Sequence, residues 1–540
     1  MWVDGAARVA CVTPVRRMQG RSVTTPDGLP HDVRQRWADA LVATGGSQCG
    51  FCTPGILMRL AGLEARGPFP SASATASAGD AASAGATFSA GDAARARLSQ
   101  ALVAHLCRCT GWQTIEAAAL AVFGCSGLSS EPAGRDLAAA AARARLEGGV
   151  DQRVGPAVAL GHAGFADDTC PVGALVAVPT DDAGVGDGGD GDSSGEGYAV
   201  AHSLTEARAL AGKVQGRSTS LPLVHPISGP EGPWAVRLAT TWVEPAYLEP
   251  DASWCEPGGA PASPVGNGGA FGGKLRSPVP ADARRLADHH GRPVRVVWSR
   301  EDAVRRGPKR PPLSGGMAAD GSGVLRVGIP IHGGSSAARS TEWRAEWDRV
   351  CTQVAAVAPG LSLEGVPLEG PPLSFDLRGA VWAEAAVLAA CAPLADSAGA
   401  VDIPVAVTAP TGGWAEARVL PDGSLSVTVD AGRVLDEVVL RSYAIGATHQ
   451  ALGLVRSEGI AVDAEGVIRD LTIRSFGIVP ARSMPAVHVT VRHDPGRPAV
   501  NGSDAVFAAV AAAVWLADGL PPRWPTARGA AAGSGTPPIG

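Results

Sequence analysis

The sequence lacks a long apolar run. Its most hydrophobic stretch, AVFAAVAAAVWLA from Ala505 to Ala517, is shorter than the roughly 20 residues that span a bilayer. The opening MWVDGAARVACVTPVRRMQG has no apolar segment of the signal-peptide kind. Both absences predict a cytoplasmic protein with no membrane partner. There is no excess of basic charge either: 46 Lys and Arg stand against 52 Asp and Glu, a net charge of -6. That argues against nucleic acid as the main partner, since it calls for a positive surface. One local basic region is expected, around Lys274 with Arg276, Arg284, Arg285 and Arg295. Cysteine is also scarce. Ten cysteines in 540 residues do not make a disulfide framework, and in a cytosolic chain closely spaced cysteines point to metal or redox work. The 45% of hydrophobic residues leaves room for several domains, each with a core.

Two stretches break the wide cysteine spacing. QCGFCTPG carries Cys49 and Cys52, and LCRCTGW carries Cys107 and Cys109. Around them the sequence predicts four helices. HDVRQRWADALVATGG is amphipathic and stops at Gly45-Gly46. TPGILMRLAGLEARG starts with Thr53 as N-cap and Pro54 at the first helical position. AARARLSQALVAHL enters the second pair and TIEAAALAVFG leaves it. Four thiolates converging from two helix-linked loops satisfy either zinc or an iron–sulfur cluster, and helix N-termini beside the loops favour the thiolate form. Four unrelated buried cysteines are the alternative. Cys125, Cys170, Cys255, Cys351 and Cys391 are isolated and read as ordinary buried or loop cysteines. Residues 68–92 and 181–197 are of low complexity and predict surface insertions, like the tail. Further on, PADARRLADHHGRPVRVVWS reads as helix, glycine stop and strand, and Pro421-Asp422-Gly423 as a hairpin turn.

Taken together, the two cysteine motifs resemble the helical [2Fe-2S] domain of the xanthine dehydrogenase/aldehyde oxidase family of molybdenum hydroxylases. The resemblance implies that Cys49, Cys52, Cys107 and Cys109 hold the cluster nearest a molybdenum cofactor, molybdopterin. Gln48 would hydrogen-bond the pterin, and Cys109 would approach its edge. GNGGAFGGK resembles the family's loop against the molybdenum centre, which implies cofactor contacts at Gly269, Phe271, Gly272 and Gly273. VEPAYLEPDASW resembles the segment before that loop, with Pro245 where the family has a histidine. THQALGLVRSEGI and IRSFGIVPARSMPAVHV resemble parts of the cofactor-binding lobe. VNGSDAVFAAVAAAVWLADG stands where the family has a glycine–glutamate motif whose glutamate is the general base. Ser503 falls on that position, which makes the adjacent Asp504 the candidate catalytic carboxylate; its bland alternative is a helix N-cap.

The fold class expected is a multidomain α+β chain: residues 1–30 as the end of a plant-type ferredoxin domain, 31–125 as the four-helix [2Fe-2S] domain, 126–200 as linker, 201–330 and 406–520 as mixed molybdopterin-binding-like lobes, 331–405 unassigned and 521–540 a disordered tail. Cys11 matches the fourth ligand of a ferredoxin-type cluster, and the other three would lie upstream of Met1. Either the start site is placed too far downstream or the outer cluster is lost, and residues 1–29 are expected to be poorly stabilised alone. The resemblance implies an oxidoreductase that hydroxylates an aldehyde or N-heterocycle and sends electrons through the cluster to a flavin-binding or other acceptor partner, because residues 126–230 leave no FAD site. The alternatives are a non-catalytic electron-transfer or assembly subunit with a vestigial molybdenum part, and a zinc-stabilised interaction module.

Overall fold

The computed structural model describes residues 1–67, 90–125, 134–180, 197–212, 218–330 and 337–527. The expected insertions and tail lie mostly outside them. At the N-terminus, strands β1 (Trp2–Val3), β2 (Ala6–Ala7) and β3 (Val23–Thr24) form a small antiparallel sheet with β1 in the middle. Strands this short do not stand alone. Here the sheet is tied down: the Trp2 indole donates to Met58 O at 2.8 Å. Cys11 is exposed in a short 3-10 turn.

Four helices follow: α1 (His31–Thr44), α2 (Thr53–Glu64), α3 (Ala90–Leu102) and α4 (Gln113–Val122). They share one core, built from Trp37 and Leu41, Leu57 and Leu60, Leu98, and Ile115. Trp37 is fully buried, yet its indole N–H is satisfied by Glu64 Oε2 at 2.8 Å, as a buried Trp requires. α1 stops at Gly45, where φ is 71°, a left-handed turn suited to glycine. Thr53 is not the N-cap expected from the sequence. Cys52 precedes the first turn and no side chain caps it. The Thr53 hydroxyl instead lies 3.2 Å from Ser47 Oγ, which closes the cysteine loop on itself.

The segment 126–200 is not a bare linker. A fifth helix, α5 (Leu137–Gly148), is capped by Asp136, whose carboxylate accepts from Ala138 N and Ala139 N, and ends at Gly149 with φ 74°. Its Ala140 and Ala144 pack on Val439 and Tyr443. Short alanine side chains carry little periodic signal, so a helix that buries them is hard to tell from a flexible alanine-rich stretch. The segment also supplies strands Leu175–Pro179 and Tyr198–Ala201 to a four-stranded sheet with Asp251–Cys255 and Val294–Trp298. Helix Val279–His290, Gly291 and strand Val294–Trp298 stand where the sequence expects them, and the helix packs on this sheet.

Two further four-stranded sheets share the large C-terminal core. In one, strand Gly323–Pro330 pairs in parallel with Leu361–Leu368. Residues 337–391, unassigned from the sequence, thus add helix Ala337–Val357, this edge strand and helix Trp382–Cys391 to the preceding lobe. In the other sheet, strands Trp414–Val419 and Leu425–Asp430 are joined by the turn at Pro421–Gly423, and alternate residues are buried as in a one-faced strand. Helices Glu437–Arg456 and Ser503–Ala517 are among those that bury this core. Among the described residues, no helix is long and apolar enough to cross a membrane. The multidomain α+β architecture agrees with the fold class expected.

Candidate metal centre

Cys49 and Cys52 lie on the loop from α1 to α2, and Cys107 and Cys109 on the loop from α3 to α4. Tight packing fixes both loops. Gly50 has φ 85°, and a Cβ there would sit 2.6 Å from Val158 Cγ1. Gly111 has φ 59°, and a Cβ would meet Ile445 O at 2.7 Å. Cys107 and Thr110 brace the second loop, with Thr110 Oγ1 3.1 Å and Thr110 N 3.5 Å from Cys107 Sγ.

The sulfurs come together as two pairs, each joining one loop to the other. Cys109 Sγ is 3.6 Å from Cys49 Sγ, and Cys52 and Cys107 are near enough for each thiol to act on the other. The pairs share protons unequally. The Cys52 contact, with help from Thr110, pulls the Cys107 thiol down to about 6. Cys52 is pushed well up, first by its contact with Cys107 and then by burial. Cys109 is pushed up by its contact with Cys49, by burial and by the other cysteines' charge. Four sulfurs packed this closely cannot all ionise beside one another without a compensating positive charge, and bound metal supplies such a charge. Among the described residues, no group of three or more His, Cys, Asp or Glu side chains is placed to hold a single ion. Four cysteines in two pairs match the donor count of a two-iron cluster.

A cavity opens directly against the sulfurs. Its wall includes Gln48, Cys49, Cys109, Gly269, Phe271 and Tyr247. Five of these six residues are sequence candidates, drawn from three distant stretches. Gln48 donates from Nε2 to Ser442 Oγ at 2.9 Å, and its backbone O accepts from Asn267 Nδ2 at 3.2 Å. Asn267 thus ties the cysteine loop to the glycine loop. That loop turns through Ala270 (φ 49°) and Phe271 (φ 55°), two non-glycine residues in the left-handed region, which stores strain of the kind found at ligand clamps. Gly272 and Gly273 are not part of the cavity wall. A Cβ at Gly272 would lie 1.9 Å from Asp376 O, and one at Gly273 2.5 Å from Pro245 Cγ. Their role in the structure is to let the loop pack. Tyr247 and Glu249 were missed by sequence reasoning. The Tyr247 hydroxyl is buried with no hydrogen-bond partner among the described residues, a donor and acceptor that a polar ligand would satisfy. Glu249 also lines the cavity and pairs with Lys274 Nζ at 3.1 Å. Lys274 is 1% exposed, so the basic surface expected around it does not form there: its charge is spent inside.

Asp504 lies elsewhere. It is in the first turn of helix Ser503–Ala517 and does not line this cavity. Its Oδ1 accepts from Arg378 Nε at 2.9 Å, and Arg378 NH2 donates to Ser503 Oγ at 2.7 Å. The Arg378 guanidinium covers the Phe271 ring at 5.4 Å, which links Asp504 to the cavity wall through one side chain. Asp504 does not cap its helix. The Asn501 side chain accepts from Asp504 N at 2.9 Å, and the Glu147 carboxylate accepts from Gly502 N and Ser503 N. Neither Arg378 nor Glu147 has a sequence signal, because each acts at a long separation along the chain.

The helix Glu437–Arg456 closes the site from below, and one glycine permits the contact. A Cβ at Gly446 would sit 1.8 Å from Cys109 O. Gly446→Ala should therefore push the helix off the cysteine loop and lower iron content and visible absorption, whereas Gly55→Ala, with nothing within 4 Å of its Cβ, should leave both unchanged. Equal iron in the two purified variants would contradict this.

Comparison with known proteins agrees with this geometry. Residues 23–120 match the family model described as [2Fe-2S] binding domain. A xanthine dehydrogenase of Emericella nidulans is 36% identical over 111 residues, 20% of this chain and 6% of that protein. A probable xanthine dehydrogenase subunit of Bacillus subtilis is 30% identical over 110 residues, 20% of this chain and 50% of that protein. The chain thus spans half or less of these relatives' lengths. In three dimensions it is similar to the aldehyde oxidoreductase of Desulfovibrio gigas, with TM-score 0.61 and 14% identity over 95% of this chain and 92% of that one. The corresponding Desulfovibrio desulfuricans enzyme gives TM-score 0.51 and 12% identity over 96% and 91%. Residues 23–120 are thus similar to the [2Fe-2S]-binding domain of xanthine dehydrogenases, within a chain whose fold is that of the aldehyde oxidoreductase structures.

Proposed function

We propose that this chain is an iron–sulfur oxidoreductase of xanthine dehydrogenase type, acting on an aldehyde or N-heterocycle and passing electrons through one [2Fe-2S] cluster to a flavin-binding or other acceptor partner. The observation that carries the reading is the adjacency of two sulfur pairs to a cavity walled by Gln48, Cys109 and the Gly269–Phe271 turn. One iron would be held by Cys49 and Cys109 and the other by Cys52 and Cys107. The unpartnered Tyr247 hydroxyl in a largely apolar wall suits the polar edge of a molybdopterin cofactor, which Gln48, the Gly269–Phe271 backbone and Tyr247 would hold. When bound, such a cofactor supplies the two-electron oxidation chemistry. The protein's part is to orient the cofactor and to move a proton.

Proton transfer is assigned to Asp504, at Oδ2, since Oδ1 is held by Arg378. A general base contributes about 10²–10⁴ in rate, so Asp504→Asn should lower aldehyde-dependent dye reduction at least 10²-fold while iron and molybdenum stay bound. Full activity in the variant would place the base elsewhere. Protein that carries iron but never molybdenum would favour the second reading, an electron-transfer or assembly subunit. That reading draws on the Arg378 ion pair, which occupies the carboxylate, and on a serine at position 503.

A further inference from the structure

Arg108 stands between Cys107 and Cys109 and lines the first cavity with Cys49, Cys52 and Cys109, so its side chain belongs to the surroundings of the proposed cluster. Its guanidinium forms a forked pair with Glu458, 350 residues away: NH2 donates to Oε2 at 2.9 Å and NH1 to Oε1. The two side chains are 7% and 1% exposed. Other polar atoms of Arg108 are satisfied from both lobes. Arg108 Nε donates to Pro245 O at 3.1 Å, and Arg108 O accepts from Gln450 Nε2 at 3.2 Å. Two other charges nearby, Arg300 and Arg310, are paired with Glu244 and Glu384. A buried ion pair is a poor source of stability, because desolvation of both charges offsets their attraction. Its placement against the cysteine loop gives it another use.

We propose that Glu458 is a positioning residue that sets the reduction potential of the cluster by neutralising Arg108. An added electron makes the cluster more negative. A lone buried guanidinium beside it would stabilise the reduced form and raise the potential, and a lone buried carboxylate would lower it. With both present, the loop between the cysteines is neutral. The pair also walls a second cavity, together with Phe271 and Arg378. The inference rests on the cluster assignment proposed above.

The test is a redox titration of the full-length protein at fixed pH, followed by the electron paramagnetic resonance of the reduced cluster. Glu458→Gln should raise the ratio of reduced to oxidised cluster at a given potential, and Arg108→Gln should lower it. Each change should be on the order of tenfold, since one unit charge at several ångströms acts through an intermediate dielectric; tenfold is 59 mV for one electron. The double variant Arg108→Gln/Glu458→Gln should return to within about twofold of wild type, because both charges are gone. A purely structural role would move all three in one direction or none. Unchanged potentials, or shifts of the same sign, overturn the proposal. If either single variant loses the cluster, the double variant decides, with a tenfold displacement overturning the proposal. If the double variant loses it too, Arg108→Lys decides. That variant keeps the charge and should hold the wild-type potential, and a tenfold shift in it overturns the proposal. Wild-type protein without iron would defeat the cluster assignment itself, which is a separate result.

Discussion

Cys107→Ala should yield a protein that has lost most of its visible absorption. Cys107 is fully buried and faces Cys52 from the opposite loop, with Thr110 bracing its sulfur. Removing it leaves one iron a ligand short, and no other cysteine is placed to substitute: Cys125 is the nearest along the chain and lies beyond α4, with its thiol against Phe123 O. The loops should stay folded in part, because Trp112 and Ile115 anchor α4 in the core independently. Cys391→Ala is the control. Cys391 is equally buried, but its thiol meets only Ala512 O, at 3.5 Å, in the C-terminal core, so the variant should keep its colour. The absorption spectra of the two purified variants at matched concentration decide. Equal colour in both would mean that Cys107 is not a ligand.

Glu147→Ala should destabilise the C-terminal lobe by about 3–5 kcal/mol, the usual effect of removing one partner from a buried ion pair. Glu147 and Arg143 are both 0% exposed and pair at 2.7 Å, one helical turn apart on α5. The Glu147 carboxylate also accepts from Ser503 N at 2.8 Å and from Gly502 N at 3.2 Å. It satisfies donors at the N-terminus of helix Ser503–Ala517 that would otherwise be orphans and places a negative charge at the positive end of the helix dipole. The truncation leaves Arg143 charged inside the protein. Urea denaturation should show the early transition, and hydrogen exchange should rise first at the amides of Gly502 and Ser503. The cluster, whose loops do not use Glu147, should keep its absorption below that transition. A loss under about 1 kcal/mol would mean that water replaces the carboxylate.

What was legible in the sequence follows the range of the interactions. The four helices around the cysteines are local, and their glycine stops and apolar faces were readable. The cysteine motifs were readable too, because metal ligation needs fixed short spacings. The pairing of the sulfurs was not, since Cys49 with Cys109 and Cys52 with Cys107 is decided by how the two loops meet. Helix α5 escaped because alanine buries without periodicity, and Lys274 misled because an isolated lysine gives no sign that Glu249 will take it inside. Asp504 was found by its place in a motif. Its engagement by Arg378, 126 residues earlier, could come only from the structure.

The central claim is that the two cysteine pairs hold a [2Fe-2S] cluster, and metal and sulfide analysis of the purified, anaerobically prepared protein tests it most directly. The account predicts about two irons and two acid-labile sulfides per chain, as one cluster of that type requires, with no stoichiometric zinc, and loss of both in Cys107→Ala. Colourless wild-type protein with one zinc per chain and no iron or sulfide would contradict it.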